Sequence, residues 1–325
     1  MNRKSLFLLI LTVIAFIVAY RLWGSDFDWS LFYSSLWNIQ ISWLMASIAA
    51  TFLTYVCRAV RWQVLLDPVK PIRIKPLISA NLVGFSAIFV LGRAGEVIRP
   101  LWVARREQTP LTASVATIVV ERFLDTFMII MFFGWSLLLV KPPAAADRTV
   151  KLMKDASWVM LIGSVAAMIF LFFFRANIHR IVRYVRLAKI ASVMKNFSAG
   201  LSFLDRGSSF GLAIAHSLLL WIVISLSFWF MMLGMNFQFS IQAATLVMVG
   251  SAIGSIAQIP GIGGGFQAGW VFCMTTFFLI PPEKAIATSL VAWVASYVPT
   301  VVAGGLYMIS QGLSLKDLRT APVAD

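Results

Sequence analysis

Two short stretches carry most of the chemistry this chain can offer. Gly92-Arg93-Ala94-Gly95-Glu96-Val97-Ile98-Arg99-Pro100 follows an apolar run, and Glu121, Arg122 and Asp125 sit inside a longer one. Charge within apolar sequence is costly and marks either a function or a deliberate pairing. A guanidinium offers a planar fork of donors that fits a phosphate, and a half-helix N-terminus adds a favourable dipole. Arg93 and Arg99 therefore read as phosphate ligands or as anchors to an anionic membrane surface. The three-residue spacing of Arg93, Glu96 and Arg99 lets them share one helical face. Glu121 and Asp125 also share a face, with Arg122 turned about 100° away. These two acids can receive a cation, or pair with arginines of the earlier stretch as a structural network. Arg58 and Arg61 close an apolar run; they read as side chains snorkelling to the interface or as headgroup contacts.

A third stretch is uncharged. Gln258 precedes Ile259-Pro260-Gly261-Ile262-Gly263-Gly264-Gly265-Phe266-Gln267. Proline removes a backbone donor, and the glycines weaken helical preference. Such a break reads first as structural, although its exposed amides can hold an anion. Pro260, Gly261 and Gly263 are candidate contacts, flanked by Gln258 and Gln267. No nucleotide-binding, zinc-protease or nucleophile-elbow motif occurs. The cysteines, Cys57 and Cys273, lie far apart in apolar segments, and His216 stands alone in another. No metal, cofactor or catalytic residue is expected.

Elements of a particular kind must position these groups. Hydrophobic residues make up 60% of the 325 residues and charged residues only 12%, against about a quarter in soluble domains. The expectation is an all-α polytopic membrane protein, a single integral domain over 1–325. Full spans are predicted at 5–22, 39–57, 112–140, 157–174, 208–233 and 285–310, about six in all. Residues 77–91 are apolar but only 15 long, about 22 Å of helix against a hydrocarbon core of about 30 Å. With basic residues on both sides, they predict a re-entrant hairpin over 77–106 rather than a span. Residues 241–280, with the glycine break near their middle, predict a second hairpin from the opposite face, although two full spans give the same parity. Irregular backbone in a membrane must line a cavity or be buried in protein.

The net charge of +14 comes mostly from basic runs between apolar spans. That is the positive-inside pattern and not a nucleic-acid footprint. It predicts a plasma-membrane protein with cytoplasmic N- and C-termini. Residues 175–206 combine seven basic side chains with apolar residues at helical spacing, as expected of an amphipathic helix on cytoplasmic headgroups. The order span, hairpin, span then occurs twice with opposite hairpin directions. Paired interrupted segments of this kind predict an inverted repeat with a site at its interface.

Taken in order, Arg58-x-x-Arg61-Trp62, Gly92-Arg93-x-Gly95-Glu96-x-x-Arg99-Pro100, Glu121-Arg122-x-x-Asp125 and Pro260-Gly261-x-Gly263 resemble the lysylphosphatidylglycerol synthase transmembrane, flippase-like family. The resemblance covers about 5–310. It implies movement of an anionic or amphipathic phospholipid between leaflets without ATP, with membrane lipids as partners. Where members of that family often carry a glutamate after the Pro-Gly turn, this chain has Gln267. No aminoacyl-transfer domain follows, so lysyl-lipid synthesis is not expected. Two other readings stand beside transport: a membrane enzyme acting on lipid-linked sugars, with Glu96 as its carboxylate, and a non-transporting partner of a lipid-modifying enzyme. A homo-oligomer is compatible with each.

Overall fold

The computed structural model describes residues 27–140, helical pieces between 151 and 169, 207–257, 259 and 263–311. The predicted first span, half of the 157–174 span, the basic segment 175–206 and the residues Gln258, Pro260 and Gly261 lie outside the described residues, as does the side chain of Arg93.

Helix follows helix along the chain. They are α1 (Trp29–Trp37), α2 (Ile41–Leu66), α3 (Ile74–Leu91), α4 (Ile98–Glu107), α5 (Leu111–Leu139), α6 (Gly207–Gly234), α7 (Ile241–Gly254), α8 (Gly265–Phe278) and α9 (Pro282–Ser310). No strand forms among the described residues; there is only an isolated backbone bridge between Ile259 and Gly263. The protein is an all-α membrane protein. Within the described residues, α2, α6 and α9 are long and apolar enough to cross a membrane. Their surfaces explain why: on α6, Leu220 and Trp221 are buried while Leu218, Leu219 and Ile222 face outward. A helix apolar all round is stable only where its outer face meets lipid or more protein.

α2 and α6 lie antiparallel along their length. Gln40 N–H donates to the Gly234 carbonyl (2.8 Å) at one end. Ser47 and Thr51 meet the Ser227 hydroxyl at 3.3 and 2.8 Å further along. Arg61 reaches Ser217 deeper still. Small hydroxyl residues allow this close approach and link the helices where no water competes.

Two hairpins complete the arrangement. α3 ends at Gly92, whose φ of +65° is open to glycine and costly for residues with a Cβ. A 3-10 turn, Gly92–Val97, leads into α4, which packs back on α3. Both outer ends of this hairpin meet at one end of the bundle, where Lys70 Nζ donates to the Glu107 carbonyl. The second hairpin is α7, a turn and α8. Its outer ends meet at the other end of the bundle, where the Phe239 and Phe278 rings lie 4.6 Å apart and Lys284 covers the Phe237 ring. Arms of 18, 10, 14 and 14 residues span about 15–27 Å, less than a hydrocarbon core.

The packing repeats between the halves. α3 of the first hairpin packs on α9 of the second half, and α7 of the second hairpin packs on α5 of the first. Each hairpin thus lies against the closing helix of the other half.

Several predicted boundaries move. α2 runs to Leu66 and not to 57, because Arg58 and Arg61 are good helix formers and no breaker occurs before Asp67-Pro68. α3 starts at Ile74 rather than 77. The glycine-rich turn also interrupts the expected face of Arg93, Glu96 and Arg99: the first two lie in the 3-10 turn and Arg99 in α4.

Candidate functional site

The site assembles from the middle of three helices and one hairpin arm. α5 turns Glu121 and Asp125 to the same buried face, Glu121 fully and Asp125 nearly so. α2 brings Arg61 opposite them, entirely enclosed, and α4 brings Arg99, which is 1% exposed. Charges this deep must be paired, since an isolated ion in a low-dielectric interior is prohibitively unfavourable.

Arg61 grips Asp125 in a two-point contact, Nη1 to Oδ1 at 2.7 Å and Nη2 to Oδ2 at 3.4 Å. Its Nη2 also lies 3.6 Å from Glu121 Oε1, and its Nη1 donates to Ser217 Oγ at 3.2 Å. Trp221 Nε1 donates to Asp125 Oδ1 at 3.2 Å. Arg99 Nη1 donates to Glu121 Oε2 at 3.0 Å. Two more guanidiniums stand further out, Arg58 at 4.0 Å and Arg122 at 3.9 Å from Asp125 Oδ2. Four guanidiniums therefore surround two buried carboxylates.

Aromatic rings hold the surplus cations. The Arg99 guanidinium lies 4.8 Å from the Trp62 ring centroid and 5.4 Å from that of Phe85, while Arg58 lies 4.9 Å from Phe85. Trp62 is fixed in turn by its Nε1, which donates to Thr117 Oγ1 at 2.9 Å. Gly84 makes this packing possible, because a Cβ there would collide with Cγ of Arg99. Arg99 Nε and Nη2, both buried, reach no acceptor among the described residues, and neither does Arg122 Nε. A guanidinium has five donors, so the cluster keeps donor capacity for an anion.

A cavity of about 140 Å³ opens beside these groups, lined by Phe85, Ile88, Gly92, Glu96, Arg122, Ser255 and Tyr297. Its walls come from the first hairpin tip, α5, the inner end of α7 and α9. The two hairpin tips thus meet around one space. Even with the Glu96 carboxylate on its wall, positive charge exceeds negative among the described side chains. A larger groove of about 250 Å³, between the second half of α5 and Ser157, Trp158 and Leu161, is almost wholly apolar.

The residues singled out in the sequence divide accordingly. Arg58, Arg61, Arg99, Glu121, Arg122 and Asp125 come together, and Glu96 lines the adjoining cavity. Arg61 is not at the interface as expected; it is a buried partner of both acids. The two acids take arginines from α2 as well as from the first hairpin. Gly263 and Gln267 stand apart from the ion pairs. Gly263 has φ +91°, and Gln267 Oε1 accepts from Gly264 N–H at 2.7 Å, capping α8. Among the described residues no group of histidine, cysteine, aspartate and glutamate could hold a metal ion. Sequence reasoning missed Phe85, Ser217 and Trp221. Aromatic and hydroxyl residues are common on lipid-facing helices, so nothing in the sequence separates these from the rest.

Comparison with known proteins agrees with this architecture. Residues 7–304 match the family described as the lysylphosphatidylglycerol synthase TM region. The UPF0104 membrane protein MJ1595 of Methanocaldococcus jannaschii is 22% identical over 229 residues, covering 66% of this chain and 67% of the relative. No solved structure matches the chain. With nearly its whole length matched and an all-α, multi-pass membrane architecture, the chain belongs to the lysylphosphatidylglycerol synthase TM region family.

Proposed function

We propose that this protein moves an anionic phospholipid between membrane leaflets without ATP. The observation that carries the reading is the buried arginine cluster, with its surplus of positive charge and open donors, beside the cavity where the hairpin tips meet. A phosphodiester would balance that charge, with Arg122 on the cavity wall as its first contact and the acids holding the arginines in place. The repeated packing of each hairpin on the opposite half supports exposure of the cavity by rocking of the halves. The end bearing Lys70, Arg73, Lys75, Arg105 and Arg106 would face the cytoplasm of a plasma membrane. Gly263 and Gln267 would supply shape at the second tip.

Glu96 on the cavity wall is the one observation that favours an enzyme acting on lipid-linked sugars. Such hydrolysis ordinarily needs two carboxylates flanking the bond, and the other two nearby are engaged by arginines. The geometry therefore favours transport over such hydrolysis.

The test is leaflet exchange in proteoliposomes of phosphatidylcholine and phosphatidylglycerol, read by dithionite quenching of headgroup-labelled phosphatidylglycerol. Wild type should accelerate exchange. Arg122→Gln should slow it about tenfold, the loss of one charge-assisted contact. Wild type that moves no labelled lipid under any ion gradient would end the transport reading.

A further inference from the structure

Phe85 occupies a singular position. It lines the cavity, and two guanidiniums that do not line the cavity lie over its ring, Arg58 at 4.9 Å and Arg99 at 5.4 Å. Tyr55 packs against it edge-on at 5.4 Å. Like charges brought together in an apolar interior repel strongly. The negative π face of one ring offsets part of that repulsion. The ring also lies beside Arg99, whose Nε and Nη2 find no acceptor among the described residues. Arg122 lines the same cavity as the ring.

We propose that Phe85 is a gating residue that competes with the anionic headgroup for Arg58 and Arg99. With the ring in place, the cavity presents Arg122 and keeps the other two guanidiniums engaged by the π face. When the ring swings aside, Arg58, Arg99 and Arg122 form one tripod around the phosphate. The neighbour Gly84 has no side chain to obstruct Arg99, and the buried anchor of Arg99 on Glu121 stays in place. The ring sets the affinity of the site: it keeps the arginines from binding an anion so tightly that release becomes slow. This inference rests on the anionic-lipid reading of the cavity.

The competition predicts that truncation improves binding, the reverse of what loss of a structural side chain would do. The full-length protein in neutral detergent would be titrated calorimetrically with dioctanoyl phosphatidylglycerol, with dioctanoyl phosphatidylcholine as reference. Phe85→Leu keeps apolar volume and removes two cation–π contacts, together about 1.4 kcal/mol, so affinity for the anionic lipid should rise about tenfold. Phe85→Trp, with a stronger π face, should lower it several-fold, and phosphatidylcholine binding should change far less in either variant. Unchanged or weaker phosphatidylglycerol binding by a folded Phe85→Leu protein overturns the proposal. If Phe85→Leu fails to fold, Phe85→Trp decides, and binding as tight as wild type overturns it. Wild type that does not prefer phosphatidylglycerol defeats the anionic-lipid reading itself, and this inference with it. A wild-type preference that both variants leave unchanged defeats the gate alone.

Discussion

Glu121→Gln isolates the ion pair that ties the first hairpin to the rest of the bundle. The substitution keeps side-chain volume and one acceptor but removes the charge facing Arg99 at 3.0 Å and Arg61 at 3.6 Å. Arg61 retains its two-point contact with Asp125, so the loss falls mainly on Arg99. Removing one partner of a buried pair costs about 3–5 kcal/mol. Arg99 keeps the Trp62 and Phe85 rings, which offset part of this, so the lower end, about 3 kcal/mol, is expected. Arg99→Met removes the other charge and fits the same space. The double variant leaves no orphaned ion at this pair, and it should recover about 2 kcal/mol relative to the sum of the single changes. Equilibrium unfolding in mixed micelles, titrated with a denaturing detergent and followed by tryptophan fluorescence, measures all four corners of the cycle. Single variants within about 0.5 kcal/mol of wild type, or a double variant additive within the same margin, would refute a paired and desolvated cluster.

Two further predictions test the architecture. In the second hairpin, Gly250 and Gly254 of α7 meet Gly269 and Gly265 of α8 backbone to backbone, and a Cβ on Gly254 would collide with the Gly265 carbonyl. Gly254→Val should cost about 1–3 kcal/mol in the same unfolding assay, whereas Gly134→Ala, with open space around it, should be neutral or gain up to about 1 kcal/mol; equal effects would mean that the arms are not in contact. Of Trp37→Cys and Lys70→Cys, at opposite ends of the bundle, only the first should react with a membrane-impermeant maleimide on intact cells, and the second only after permeabilisation. Native Cys57 and Cys273 are buried and give little background. Labelling of both from one side would overturn the assigned hairpin directions.

The sequence by itself determined the membrane class, the positions of the breaks and which charged residues were out of place. Apolar run length and the cost of unpaired charge in lipid are one-dimensional properties, so 77–91 and the glycine turn after 258 could be recognised as interruptions. The α-helical face of Glu121 and Asp125 was legible too, because four residues make about one helical turn. What the sequence could not supply was partnership. Arg61 looked like the charged end of a span, because hydropathy falls at Arg58; only the continuation of α2 to Leu66 carries it into the interior. Arg99 meets Glu121 across a hairpin, and Trp221 reaches Asp125 from ninety-six positions away. Phe85, Ser217 and Trp221 are ordinary residues of apolar helices until packing places them against a guanidinium or a carboxylate. Local periodicity decides which face of a helix is buried. Only the tertiary structure decides what that face is buried against, and here it makes isolated charges into one cluster beside the space where two hairpin tips meet.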